Sequence, residues 1–118
     1  MTIIELLIQY LTDGLYDTSV FVGVEAPEQL YNYVLIDQTG SDTVNHITTT
    51  TVAVQSYGAS LLDALTLNET VKGLMLNFVT ENEVAGIRLE TDYNFTDTTT
   101  KQYRWQAVYQ ITHYLGGF

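Results

Sequence analysis

The sequence predicts an α+β domain, a largely antiparallel or mixed β-sheet carrying two helices in the order α-β-β-β-α-β-β. Three observations lead there. Two stretches space apolar residues three and four apart, as a helix requires, and several others alternate apolar with polar residues, as a strand requires. Threonine, β-branched and favoured in strands, occurs eighteen times against four serines. The chain has 118 residues and 46% hydrophobic residues, which suits a single domain with one core.

The first helix follows from Thr2-Ile3-Ile4-Glu5, where a hydroxyl stands three residues before a carboxylate in capping-box spacing. Ile4, Leu7, Ile8 and Leu11 continue at helical spacing, and Gly14 sits where the helix should stop. Residues 19–24 place Val20, Val22 and Val24 on one side of a short strand that Pro27 closes. Residues 31–37 give a second strand. Residues 38–46 hold a Gly-Ser-Asp cluster without periodicity and are expected to form an exposed loop. Residues 47–57 make a long strand that Gly58 ends.

Ser60 then caps the second helix, with Asp63 three residues on. Its apolar stripe is Ala64, Leu67, Val71, Leu74, Met75 and Phe78, opposite Asp63, Asn68, Glu69 and Lys72. At about 20 residues and about 1.5 Å per residue it would be about 30 Å long. The last third reads as a hairpin whose paired residues sum to 198. Phe95 then faces Tyr103, Tyr93 faces Trp105, Leu89 faces Tyr109 and Ile87 faces Ile111. On the other face Asn94 meets Arg104, Asp92 meets Gln106 and Arg88 meets Gln110, with Asp97 and Lys101 flanking a tip at 98–100.

Charge excludes more than motifs do. Fourteen acids stand against four bases, Lys72, Arg88, Lys101 and Arg104, for a net charge of −10. Nucleic-acid affinity comes mainly from Lys and Arg neutralising phosphates, so neither DNA nor RNA is an expected ligand, and an anionic membrane is disfavoured likewise. A negative surface still permits nucleic acid to pass without being held. With no cysteine there is no disulfide, thiolate zinc site or cysteine nucleophile. The N-terminus carries Glu5 and no early Lys or Arg, so no signal peptide is expected, and the sequons at Asn68 and Asn94 carry no weight. A soluble protein of the cytosol is expected.

Catalytic and cofactor motifs are scarce. His46 and His113 have no metal-binding spacing, and neither a G-x-S-x-G elbow nor a phosphate loop occurs. Ser56-Tyr57-Gly58-Ala59-Ser60 is explained by a strand end, a turn and a helix cap. Asp92, Asn94 and Asp97 lack the glycine turn and terminal glutamate of a calcium loop, and Glu81 and Glu83 read as solvated carboxylates. No catalytic residue, metal or cofactor is expected. Tyr103, Trp105, Ala107, Tyr109 and Ile111 on one face of the last strand, with Val108 and Tyr114 on the other, instead suggest surface meant for other protein. The loop at 38–46 and the tail at 115–118 are candidates for ordering on assembly.

These segments carry a resemblance. An amphipathic N-terminal helix, a Pro-bearing turn and Tyr31-x-Tyr33-Val34-Leu35-Ile36 are followed by the loop with Gly40 and by Val52-Ala53-Val54-Gln55-Ser56-Tyr57-Gly58-Ala59-Ser60 running into a helix. Tyr103-Arg104-Trp105-Gln106-Ala107-Val108-Tyr109 closes the chain. The whole resembles the small tail terminator, or tail completion, proteins of long-tailed bacteriophages. That resemblance implies an α/β subunit forming a hexameric ring that stops tail-tube polymerisation and joins the tail to the head connector. Its partners would be copies of itself, the tail-tube protein and the connector, with DNA as cargo through the lumen and no membrane. It would be found in the virion, at the tail and neck, and in host cytoplasm during assembly. Arg88, Arg104, Thr48 and Thr50 are the candidate subunit-contact residues. Two rivals remain, another neck component such as a head-completion or stopper protein, and a small acidic enzyme or ligand-binding module.

Overall fold

A computed structural model describes residues 2–15, 20–26, 32–78, 84–97, 99 and 102–114. Pro27, the start of the second strand at Tyr31, Glu81, Glu83, Lys101 and the 115–118 tail lie outside them. The order is α1 (Ile3–Gly14), β1 (Phe21–Gly23), β2 (Tyr33–Val44), β3 (Ile47–Gly58), α2 (Leu61–Leu76), β4 (Val84–Asn94) and β5 (Tyr103–Tyr114). The five strands form one mixed sheet in the order β1-β2-β3-β5-β4. β1 runs parallel to β2, and the other neighbours are antiparallel. The expected element order is the observed one.

Both helices begin as their side chains dictate. The Thr2 hydroxyl accepts from the Glu5 amide at 3.1 Å, and the Thr2 amide donates back to the Glu5 carboxylate at 3.2 Å, closing the capping box. Ser60 Oγ accepts from the Asp63 amide at 3.1 Å at the start of α2. Ile3, Leu7 and Leu11 of α1, Val71 and Met75 of α2 and Phe78 just beyond it pack against one face of the sheet. That face is made by Val22, Val34, Ile36, Val52, Val54, Val84, Ala107, Tyr109 and Ile111. Since side chains alternate along a strand, residues of the opposite parity on β2, β3, β5 and β4 form a second face that neither helix covers. The molecule is two layers, helices on sheet.

The face of β5 that carries Ala107, Tyr109 and Ile111, expected as surface for other protein, is instead core beneath the helices. Four more expectations need correcting. Residues 38–46 are not a loop. β2 continues to Val44 and pairs with β3 through a two-residue turn at Asn45 and His46, whose φ values are +54° and +68°. Two consecutive positive φ angles are those of the tight turn that matches strand twist, and asparagine is among the residues other than glycine that tolerate them. The pairing shifts between Gln38 and Gly40. These long strands account for the 44 Å long axis.

The terminal hairpin keeps the expected register only at 86–89, including Ile87–Ile111, Arg88–Gln110 and Leu89–Tyr109. A shift between Leu89 and Thr91 moves the rest by one residue, so Tyr93 faces Gln106, Asn94 faces Trp105 and Asp92 faces Ala107. Tyr93 and Trp105 therefore lie on opposite faces. The shift turns Asp92 toward the helices, where it takes Lys72 Nζ at 2.6 Å, and leaves Phe95 beside Arg104. Lys72, and no arginine of the hairpin, is thus the cation that meets Asp92.

Third, β1 covers three residues rather than six, and Val24 is exposed instead of sharing the buried side with Val22. Fourth, α2 has 16 residues, and Asn68 lies fully buried in its stripe rather than on its wet side. Asn68 stands four residues after Ala64 and three before Val71, so helical period places it there whatever its polarity. Neither atom of its amide has a hydrogen-bond partner among the described residues, and the same holds for Ser56 Oγ, Trp105 Nε1 and the Tyr109 hydroxyl. An unpaired buried amide costs about 1–3 kcal/mol. Leucine has the same branching without the polar atoms, so Asn68→Leu should raise stability by about 1–2 kcal/mol. A higher urea midpoint at unchanged m-value is the expected reading; a lower midpoint would show the amide to be paired in solution.

Candidate functional site

The helix-free sheet face is the feature on which function can be argued. Its residues fall in rows fixed by the strand register. At one end Phe21, Tyr33, Tyr57 and Arg104 lie side by side across β1, β2, β3 and β5, with Phe95 next to Arg104. The next row holds Leu35, Gln55, Gln106 and Tyr93. Ala53 and Val108 occupy the middle, and Thr49 and Thr112 follow. At the far end Val44, Ile47 and Tyr114 stand across three strands.

The aromatic end is knitted by one hydrogen-bond chain. Arg104 Nη1 donates to the Tyr57 hydroxyl at 3.1 Å, which donates to Gln55 Oε1 at 2.9 Å. Gln55 Nε2 donates to Gln106 Oε1 at 2.8 Å, and Gln106 Nε2 donates to the Tyr93 hydroxyl. Every donor in the series feeds the next acceptor, an arrangement in which successive bonds polarise one another. Ring contacts reinforce it. Tyr33 and Tyr57 stack at 4.4 Å, Tyr93 meets Phe95 edge-on at 5.7 Å, and the Arg104 guanidinium lies 4.4 Å from the Phe95 ring centre. Arg104 Nε also donates to the Phe95 carbonyl at 2.6 Å. Burial raises the Tyr33 pKa, the Tyr57 hydroxyl adds to the rise and Arg104 opposes it, so the phenol stays neutral.

The far end is different in kind. Val44, Ile47 and Tyr114 are 61%, 41% and 50% exposed, three large apolar side chains in one row. Phe21, Tyr93 and Phe95 are exposed apolar groups at the other end. Exposed apolar groups grouped on one face mark interaction surface more than scattered ones do.

The four contact residues expected from sequence are placed unequally. Arg88 is exposed and lies on this face, donating to Glu90 Oε1 and Gln110 Oε1, each at 3.0 Å. Arg104 is on the face too, but its guanidinium is spent within the subunit on Tyr57 and Phe95. Thr48 and Thr50 are buried on the helix side of β3, where Thr48 shares a hydrogen bond with Thr43 at 2.9 Å and Thr50 one with His113 Nε2 at 2.8 Å. Burial lowers the His113 pKa and the backbone of Tyr114 partly offsets that, so the ring is held neutral as a core group. Arg88, beside Gln110, and Arg104 therefore share the helix-free face but stand six residues apart along β5, and the threonines lie on the other face. Gln55, Gln106, Tyr33 and Tyr57 escaped the sequence reading. Their signal was parity, because Gln55 and Tyr57 alternate with Val52, Val54 and Ser56.

A groove of about 270 Å³ is lined by Leu15, Val20, Asn32, Asp63, Thr66, Leu67 and Thr70. Asn32 Oδ1 is already engaged by the Ala59 amide at 3.3 Å. Among the described residues no group of three or more His, Asp or Glu side chains is placed to hold a metal ion, and no helix is long and apolar enough to cross a membrane. No family model matches the chain, and no curated protein matches it.

Proposed function

We propose that this chain is a structural subunit of the tail terminator kind, forming a ring, hexameric by resemblance, that caps a phage tail tube and joins it to the head connector. The observation that carries the reading is the helix-free sheet face, with an exposed apolar row at Val44, Ile47 and Tyr114 and an aromatic row at the opposite end. A ring needs head-to-tail contacts between different patches, and a face with two unlike ends offers two such patches. The formal charge of −10 per subunit suits a lumen through which DNA slides without being gripped.

Isolated tail tubes test this. Added protein should occupy tube ends in electron micrographs and stop their further growth. Ile47→Asp places a charge in the exposed row and should abolish capping while leaving the melting temperature within about 2 °C, because a surface substitution there costs at most about 0.5 kcal/mol. Tubes that elongate equally with and without the wild-type protein would refute the proposal.

A further inference from the structure

The two long edges of the sheet are not alike. β4 is an edge strand whose pairing shifts twice, between Val84 and Gly86 and between Leu89 and Thr91, and which carries Arg88, Glu90 and Asp92 in its middle. Bulges and mixed charges are the usual means of stopping an edge from pairing further. At the other end β1 protects β2 only at Tyr33, Val34 and Leu35. Residues 37–44 of β2 pair with β3 on one side and, among the described residues, with nothing on the other. All eight are exposed, and the stretch contains neither lysine nor proline.

Its charge has one sign and one orientation. Asp37 pairs with Ala53 and Asp42 with Thr49, and both partners belong to the helix-free face. Five residues apart, the two acids would point to opposite faces of a regular strand; the shift between Gln38 and Gly40 brings them to the same one. β3 spans the interval in four residues, which sets the carboxylates about 13 Å apart. Among the described residues no ion pair reaches either. Val44 then continues the same face beyond Asp42 as an exposed apolar side chain.

We infer that this edge of β2 accepts an extended, basic segment of another protein as a sixth strand, with two cationic side chains four residues apart over Asp37 and Asp42 and an apolar one beside Val44. Main-chain hydrogen bonds would supply affinity and the alternate side chains specificity. Charge selects against a second copy as the occupant. Antiparallel β2–β2 pairing through the middle of this stretch would set aspartates opposite one another, and each copy carries −10. The inference rests on the sheet edge and not on ring formation, so either can fail without the other.

The probe is the blocked nonapeptide VTKTVTKTV, whose palindromic pattern fits either strand direction. It should bind in a fluorescence anisotropy titration and protect alternate amides between residues 37 and 44 from hydrogen exchange. Asp37→Asn with Asp42→Asn should weaken it about tenfold, the worth of two exposed ion pairs. The charge-reversed peptide VTETVTETV should not bind. A peptide N-methylated at alternate residues keeps its charges but loses one hydrogen-bonding edge, and it should also fail. Equal binding of the N-methylated peptide would overturn the inference, as would protection on β4 instead of β2. Protection at 37–44 that grows with protein concentration in the absence of peptide would assign the edge to a second copy and overturn it too.

Discussion

Replacing Phe78 with alanine should lower the stability of this domain by about 3–5 kcal/mol. Phe78 follows α2 and is fully buried, in contact with the Tyr10 ring of α1 at a centroid distance of 4.9 Å and an interplanar angle of 46°. Tyr10 in turn donates its hydroxyl to the Leu74 carbonyl, so the two rings and the end of α2 fix how the helices meet. Truncation removes the transfer free energy of a phenyl ring and leaves a cavity whose walls belong to two helices and cannot simply close. A single domain has about 5–15 kcal/mol in total, so the loss is a large part of it. Thermal unfolding should shift downward by about 10–20 °C. Leu62→Ala, at a position 70% exposed on the same helix, should change stability by no more than about 0.5 kcal/mol. Equal effects from the two would mean that Phe78 is not in the core.

Gly58→Ala should cost about 2–3 kcal/mol for the opposite reason, too much matter instead of too little. Gly58 ends β3 on the helix side, directly before the turn that starts α2. A Cβ there would sit 2.5 Å from the Ala64 amide nitrogen and 2.9 Å from the Asp63 carbonyl carbon. Those atoms are backbone of the first turn, held by the Ala64 amide donating to the Ser60 carbonyl at 3.0 Å. No side-chain rotation relieves the contact, so either the strand end or the helix start must move. Gly40→Ala has nothing within 4 Å to meet and should be close to neutral, because alanine restricts the unfolded chain slightly. Urea unfolding of the pair should separate their midpoints clearly; coincident midpoints would contradict the close approach of Gly58 to α2.

Much of the fold was legible because short-range rules decide it. Thr2 with Glu5 and Ser60 with Asp63 announce two helices by hydrogen-bond chemistry that needs no tertiary context. The β2–β3 hairpin was not legible from 38 to 46, since that part of β2 is exposed throughout and keeps no apolar alternation. Its turn rests on backbone angles of Asn45 and His46 that composition suggests only weakly. The shift at Glu90 was hidden for another reason. Either register gives Phe95 an attractive neighbour, Tyr103 in one and the Arg104 guanidinium in the other. The observed register sets Asp92 on the helix side, where it meets Lys72 of α2, twenty residues away in sequence. Asn68 shows the limit from the other direction, because polarity assigned it to the wet side and helical period overruled polarity. Of the proposed site, Arg88 and Arg104 were visible as rare cations, whereas the Tyr33–Tyr57–Gln55–Gln106–Tyr93 assembly exists only once four strands are side by side.

Light scattering across a salt series measures whether the subunits assemble. Subunits of charge −10 repel one another in dilute buffer, and salt screens that repulsion while apolar contacts persist. The mass should lie near 13.3 kDa at low salt and climb with added salt, or on mixing with tail tubes, toward six subunits at about 80 kDa. A mass that stays at 13.3 kDa at every salt concentration, with and without tubes, would contradict ring assembly.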